Sequence, residues 1–223
     1  MFSKTGYAQL KWKPGKWSCS SGNKKIFNLI VKKHSVDSQY AIPREEFSHP
    51  FQTEVNCLFE KQIRNWDSVA RRYEELEEVK SRTVAYPHCT LLLTHNPCRM
   101  GSSTAKVDLQ SIQERPCFLC PSNRPAEQQG ISWNHYDILI NPFPIFLRHF
   151  TIVARQHQAQ RLTPERIEDM LILARHLPEY TIFYNGPACG ASAPDHFHFQ
   201  AGNRGYMPVE KETKSGTEGI CES

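Results

Sequence analysis

The 223-residue sequence has no apolar run near the ~20 residues that a membrane-spanning helix needs. Its first residues, MFSKTGYAQLKWK, lack the apolar stretch of a secretory signal. Both absences predict a cytoplasmic protein with no membrane partner. A dense Lys/Arg block is also missing: 27 basic against 23 acidic residues leave a net charge of +4. So mild an excess weakly favours an anionic ligand and argues against a nucleic-acid partner. The pattern of eight cysteines includes no second CxxC pair, and a chain with no secretory signal is not expected to carry a disulfide framework.

With 39% hydrophobic and 11% aromatic residues, the chain can bury a core, and its length suits one large domain or a domain with an extension. Residues 1–54 show no sustained period, although KKIFNLIVKKH suits one strand, and they read as a poorly determined N-terminal extension. From Val55 the recurrence of Leu58, Ile63, Trp66, Val69, Tyr73 and Leu76 predicts an amphipathic helix broken once. TVAYPHCTLLLTHNP reads as a strand pair or one long strand, and VDLQSIQERP as a short helix. YDILINPFP, HFTIVAR and YTIFYNG are three β-rich stretches.

Between the last two of these, LTPERIEDMLILARHLPE carries Thr163 as N-cap and Pro164 at the first helical position. Ile167, Met170, Leu171, Ala174 and Leu177 then predict the face that packs on a sheet. The order strand, strand, helix, strand, strand, without repeated βαβ units, predicts an α+β domain over 55–210 with a mainly antiparallel sheet. Residues 211–223 read as a mobile C-terminal tail.

Four stretches carry chemistry. In APDHFHFQAG, His196, His198 and Gln200 alternate with Phe197 and Phe199, so a strand would set the polar groups on one face and the phenylalanines on the core side. RPCFLCPSNRP holds Cys117 and Cys120, a CxxC pair that suits zinc, redox chemistry or neither. A zinc site needs two further ligands, for which His157 and His196 are the candidates. NPFPIFLRHFTIVARQH places Asn141, Pro144, His149 and His157 at offsets 0, 3, 8 and 16. FYNGPACGASAPDH sets Asn185 eleven residues before His196. Arg99 and Lys106 in CRMGSSTAKVD are candidate phosphate contacts.

Together these stretches, over about residues 96–210, resemble the histidine-triad (HIT-like) superfamily. Gln200 in the place of a third histidine makes the sequence most similar to the branch holding galactose-1-phosphate uridylyltransferase, diadenosine tetraphosphate phosphorylase and GDP-L-galactose phosphorylase. The resemblance implies a HIT-like fold and a nucleotidyltransferase in which His198 attacks the α-phosphorus of a nucleotide, forming a nucleotidyl-histidine. Gln200 would hold phosphoryl oxygens. Asn141, Asn185 and His149 fall where relatives contact or surround the nucleotide, and Cys117, Cys120, His157 and His196 where zinc-bearing relatives ligate a structural Zn2+. A GDP-hexose-like nucleotide sugar is the implied donor, phosphate or a sugar phosphate the acceptor, and a homodimer the implied assembly.

Two alternatives accompany this reading. One is a dinucleoside polyphosphate phosphorylase or hydrolase. The other is a truncated, non-catalytic nucleotide-binding module, since members of the branch continue further past the histidine strand.

Overall fold

The computed structural model describes residues 50–86, 89–97 and 108–212. Arg99, Lys106, the strand expected in KKIFNLIVKKH and residues 213–223 of the expected tail lie outside the described residues, whereas residues 211–212 of that tail end a short helix, Val209–Glu212.

Helix α1 (Pro50–Asn65) buries Val55, Leu58 and Phe59 on one stripe. The break expected in this region falls at Trp66, after which α2 (Asp67–Glu74) and a 3₁₀ turn (Glu75–Glu78) follow. Trp66, Val69 and Tyr73 continue the buried stripe. The next stretch is a hairpin of β1 (Lys80–Tyr86) and β2 (Cys89–His95), paired in antiparallel register from Lys80↔His95 to Tyr86↔Cys89. Helix α3 (Leu109–Glu114) is capped by the Asp108 carboxylate, which accepts from the Ser111 N–H at 2.9 Å.

The main sheet holds β3 (Gly130–Trp133), β4 (Tyr136–Ile140), β5 (His149–Ala154), β6 (Tyr180–Phe183) and β7 (His198–Asn203), in the order β3-β4-β5-β7-β6. All four pairings are antiparallel, and with its helices the domain is α+β, as expected. The short edge strand β3 has no counterpart in the sequence reading. It reaches β4 through Asn134-His135, with Asn134 at φ 47°, a conformation that asparagine tolerates better than most residues.

Both faces of the sheet are covered, which explains why every residue of β5 is buried. On one face Ile138, Ile140, Phe150, Ile152, Phe197 and Phe199 pack with α1, α2 and the residues Leu173 and Leu177. On the other, Leu139 and Val153 pack with Cys117, Leu119 and Ala193. Gly202 also belongs to this second face, because a Cβ there would stand 2.6 Å from the Phe146 ring.

Helix α4 (Pro164–His176) starts as predicted, with the Thr163 side chain accepting from the Arg166 N–H and Pro164 at the first position. Its sheet-facing stripe differs from the expected one. Leu173 and Leu177 are fully buried, but Ile167 is 41% and Leu171 60% exposed. The reason is that polar residues share the inner stripe. The Arg166 guanidinium lies 3.7 Å over the Phe197 ring, and Asp169 accepts from the Tyr136 hydroxyl at 2.8 Å and from the Asn134 amide at 3.1 Å. Among the described residues no helix is long and apolar enough to cross a membrane.

Candidate functional site

The CxxC loop is a tight knuckle. The Cys120 N–H donates to the Cys117 carbonyl at 3.2 Å, the Asn123 N–H to Cys120 at 2.9 Å, and the Asn123 amide to Cys117 at 2.9 Å. Arg124 fastens the loop to the sheet, donating from Nε to the Leu119 carbonyl at 2.9 Å and from its guanidinium to the Asp137 carboxylate on β4 at 2.8 Å. These bonds aim the two sulfurs at the turn before β7 and at the segment after β5.

There the Cys117 Sγ lies 3.2 Å from His196 Nδ1, and the Cys120 Sγ lies 3.2 Å from His157 Nδ1 and 3.6 Å from His196 Nδ1. The four ligand atoms all fall within 4.8 Å of one another. A tetrahedral ion with bonds of ~2.3 Å to sulfur and ~2.0 Å to nitrogen has ligand-to-ligand edges of about 3.3–3.8 Å. The observed sulfur–nitrogen separations lie at or just below that range. Cys117, Cys120, His157 and His196 could therefore hold a metal ion.

The tautomer and charge of His196 suit a metal ligand. His196 Nε2 donates to the Ala154 carbonyl at 2.7 Å, so the proton sits on Nε2 and Nδ1 keeps its lone pair toward the sulfurs. Burial pushes the Cys117 thiol up to about 11, so its thiolate would form there only with a cation beside it. Burial also lowers the His196 pKa, keeping the imidazole neutral as a ligand must be.

His196 lies in the turn before β7 and not within the strand, its N–H donating to the Ala193 carbonyl at 3.2 Å. The expected alternation still holds across the turn. Phe197 and Phe199 are fully buried on the core side, in edge-to-face contact at 4.9 Å, while His198 and Gln200 share the opposite face.

The His198 ring is fixed by the backbone. Nδ1 lies 2.8 Å from the His196 carbonyl oxygen, which can only accept, so Nδ1 carries the proton and Nε2 the lone pair. Burial lowers the His198 pKa, and that hydrogen bond opposes the shift only in part. The result is a neutral imidazole with one basic nitrogen.

Gln200 is oriented from β5. The Ile145 N–H donates to His149 Nδ1 at 3.3 Å, so Nε2 is the protonated nitrogen, and it donates to Gln200 Oε1 at 2.8 Å. His149 is fully buried. With its oxygen engaged in this way, Gln200 keeps its amide nitrogen as the donating end.

Asn141 caps the turn after β4. Its oxygen accepts from the Phe143 N–H at 2.9 Å and its nitrogen donates at 3.1 Å to Thr151, which stands opposite Gln200 in the sheet. Asn185 joins the site through its backbone carbonyl, which accepts from the Gln160 side chain at 2.9 Å. The structure thus gathers nine of the eleven residues singled out in the sequence. Gln160 itself, which contacts Asn185 and His198, carries no signal in QHQAQRL, because nothing local marks a glutamine that folds back onto a distant strand.

The family model described as "Domain of unknown function (DUF4922)" matches residues 58–203. The chain belongs to that family. No curated protein matches it. Among solved structures, yeast Ap4A phosphorylase Apa2 in complex with AMP is similar at 18% identity and a TM-score of 0.42, over 70% of this chain and 54% of that one. The same enzyme in complex with Ap4A gives 18% and 0.42 over 67% and 55%, and without a named ligand 18% and 0.39 over 67% and 51%. This DUF4922 chain spans about half the length of those structures.

Proposed function

We propose that this DUF4922 protein is a nucleotidyltransferase of the phosphorylase type, with His198 as nucleophile. The observation that carries the reading is the 2.8 Å bond from His198 Nδ1 to the His196 carbonyl, which leaves Nε2 as a buried, neutral, directed base. In the proposed step Nε2 attacks the α-phosphorus of a nucleotide. A phosphorus–nitrogen bond forms, the phosphoanhydride bond breaks, and the leaving phosphate takes the electron pair. An anionic acceptor then attacks the same phosphorus from the opposite side and releases His198.

Gln200 supports transfer to an anion. Its amide does not titrate, so it can donate to a phosphoryl oxygen but cannot deprotonate water. Phosphate or a phosphorylated acceptor needs no such base. His149 holds the Gln200 oxygen, and this leaves the amide nitrogen for the phosphoryl group.

Cys117, Cys120, His157 and His196 would hold one zinc ion, with four protein ligands closing its shell and leaving no open position for substrate. When bound, the ion would supply cross-linking of the knuckle to the turn that precedes His198. Binding and transfer fall to the protein's own groups.

Dinucleoside polyphosphates and nucleotide sugars share the chemistry this site would use, a nucleoside monophosphate joined through phosphoanhydride. The test is phosphate-dependent turnover of diadenosine tetraphosphate, the ligand of one yeast structure, beside GDP- and UDP-hexoses. The expected result is phosphorolysis of one class, lost in His198→Ala with metal content unchanged. Turnover that survives His198→Ala, or no turnover of either class with phosphate present, contradicts the proposal. The second outcome leaves the non-catalytic module.

A further inference from the structure

Gln160 is almost completely buried, and every polar atom of its side chain is committed to backbone. Oε1 accepts from the His198 N–H at 2.8 Å, while Nε2 donates to the His198 carbonyl at 2.9 Å and to the Asn185 carbonyl at 2.9 Å. In an antiparallel sheet the N–H and C=O of one residue point to the same neighbour. For His198 that neighbour would be β6, but the β6–β7 pairing ends at Phe183↔Gln200. Without Gln160, two backbone groups of a buried residue would face a missing strand.

The Gln160 backbone adds to the fastening. Its N–H donates to the Pro194 carbonyl at 3.1 Å and its carbonyl accepts from the Tyr184 hydroxyl at 2.9 Å. Two residues earlier, the Gln158 carbonyl accepts from the Phe197 N–H at 2.6 Å. The segment that holds His157 against Cys120 therefore also brackets the turn whose His196 carbonyl orients the His198 ring.

We propose that Gln160 is a positioning residue for His198: its side-chain amide replaces the absent β6 residue and fixes the backbone from which the His198 imidazole is aimed. Only a primary amide offers a donor and an acceptor in the peptide-like arrangement this needs. The catalytic consequence rests on the nucleotidyl-transfer reading, whereas the structural one does not.

The experiment uses the full metal-loaded chain with Gln160→Met, which keeps length but removes all three side-chain bonds, and Gln160→Glu, which keeps an acceptor for the His198 N–H but loses both donors. Metal content and thermal midpoint show that each variant is folded. Amide hydrogen exchange at His198 and the ring nitrogen-15 signals of His198 then read the local geometry, and single-turnover rates at saturating diadenosine tetraphosphate read the chemistry.

In Gln160→Met the His198 amide should exchange at least about tenfold faster, as expected for one lost hydrogen bond. The single Nδ1–H signature should become a mixture of tautomers, and the rate should fall by about tenfold or more at an unchanged half-saturating concentration. Gln160→Glu should keep the protected His198 amide and still lose rate, and it carries the test alone should Gln160→Met fail to fold. Wild-type His198 amide exchange and ring signals in folded Gln160→Met, or wild-type His198 ring signals in folded Gln160→Glu, overturn the proposal. If the His198 signals respond but the unaltered protein transfers no nucleotide, the positioning role stands and the nucleotidyl-transfer reading fails.

Discussion

His149 Nε2 donates a hydrogen bond of 2.8 Å to Gln200 Oε1. This contact joins the end of the NPFPIF turn to the strand that carries His198, and it sets which end of the Gln200 amide can meet a ligand. Replacing the imidazole by a ring without a donor, His149→Phe, leaves a part-buried amide oxygen unpaired at a cost of about 1–3 kcal/mol. A double-mutant cycle with Gln200→Ala, measured by denaturant unfolding, should show a coupling of about 1 kcal/mol. Additive effects would mean that the contact does not orient the amide.

The metal cluster gives a stoichiometry. The purified chain should hold one zinc ion, and Cys120→Ser, His157→Ala and His196→Ala should each weaken binding by about 100-fold, the share of one ligand in a structural site worth ~10–16 kcal/mol. Competition with a chromophoric chelator measures this. Undiminished affinity in any one variant removes that residue from the ligand set.

The corrected face of α4 predicts a contrast between near neighbours. Leu173 is fully buried and Leu171 is 60% exposed. Leu173→Ala should destabilise the chain by about 2–5 kcal/mol, and Leu171→Gln by no more than about 0.5 kcal/mol. Similar losses at both positions would restore the stripe read from the sequence.

Buried tyrosines set the alkaline limit of stability. Burial pushes the Tyr180 phenol up to about 12 and raises Tyr73 and Tyr136 as well. An unfolded tyrosine titrates near ~10. Each phenol thus keeps its proton longer in the folded chain, so its stabilisation is complete below pH ~10 and is lost as pH rises toward the folded value, at about 1.4 kcal/mol per pH unit. Unfolding free energies measured from pH 9 to 12 should fall steeply, and less steeply in Tyr180→Phe. Equal slopes would show that Tyr180 does not contribute.

The legible parts of this protein are the ones decided locally. Thr163 and Pro164 announce the start of α4 by capping chemistry that needs nothing beyond the next turn. The alternation through His196, Phe197, His198, Phe199 and Gln200 states two faces in the sequence itself, although the strand proper begins only at His198. The CxxC knuckle narrowed its own partners to histidines, and the geometry places His157 and His196 beside it.

What could not be read depends on contacts between distant segments. Arg166 and Asp169 point inward because Phe197 and Tyr136 receive them, so an apolar stripe alone misplaced the buried face of α4. Strand β3 has only four residues, too few to show a period. Gln160 answers a need created elsewhere, by the end of the β6–β7 pairing at Gln200.

The central claim is a covalent bond between His198 Nε2 and a nucleoside monophosphate. It is tested most directly by intact-protein mass spectrometry after incubation with diadenosine tetraphosphate and with GDP- and UDP-hexoses, quenched in base to preserve an acid-labile phosphorus–nitrogen bond. The account predicts a mass increase of one nucleoside monophosphate, absent in His198→Ala, and its loss on adding phosphate. No adduct in metal-loaded protein, or an adduct that persists in His198→Ala, would contradict it.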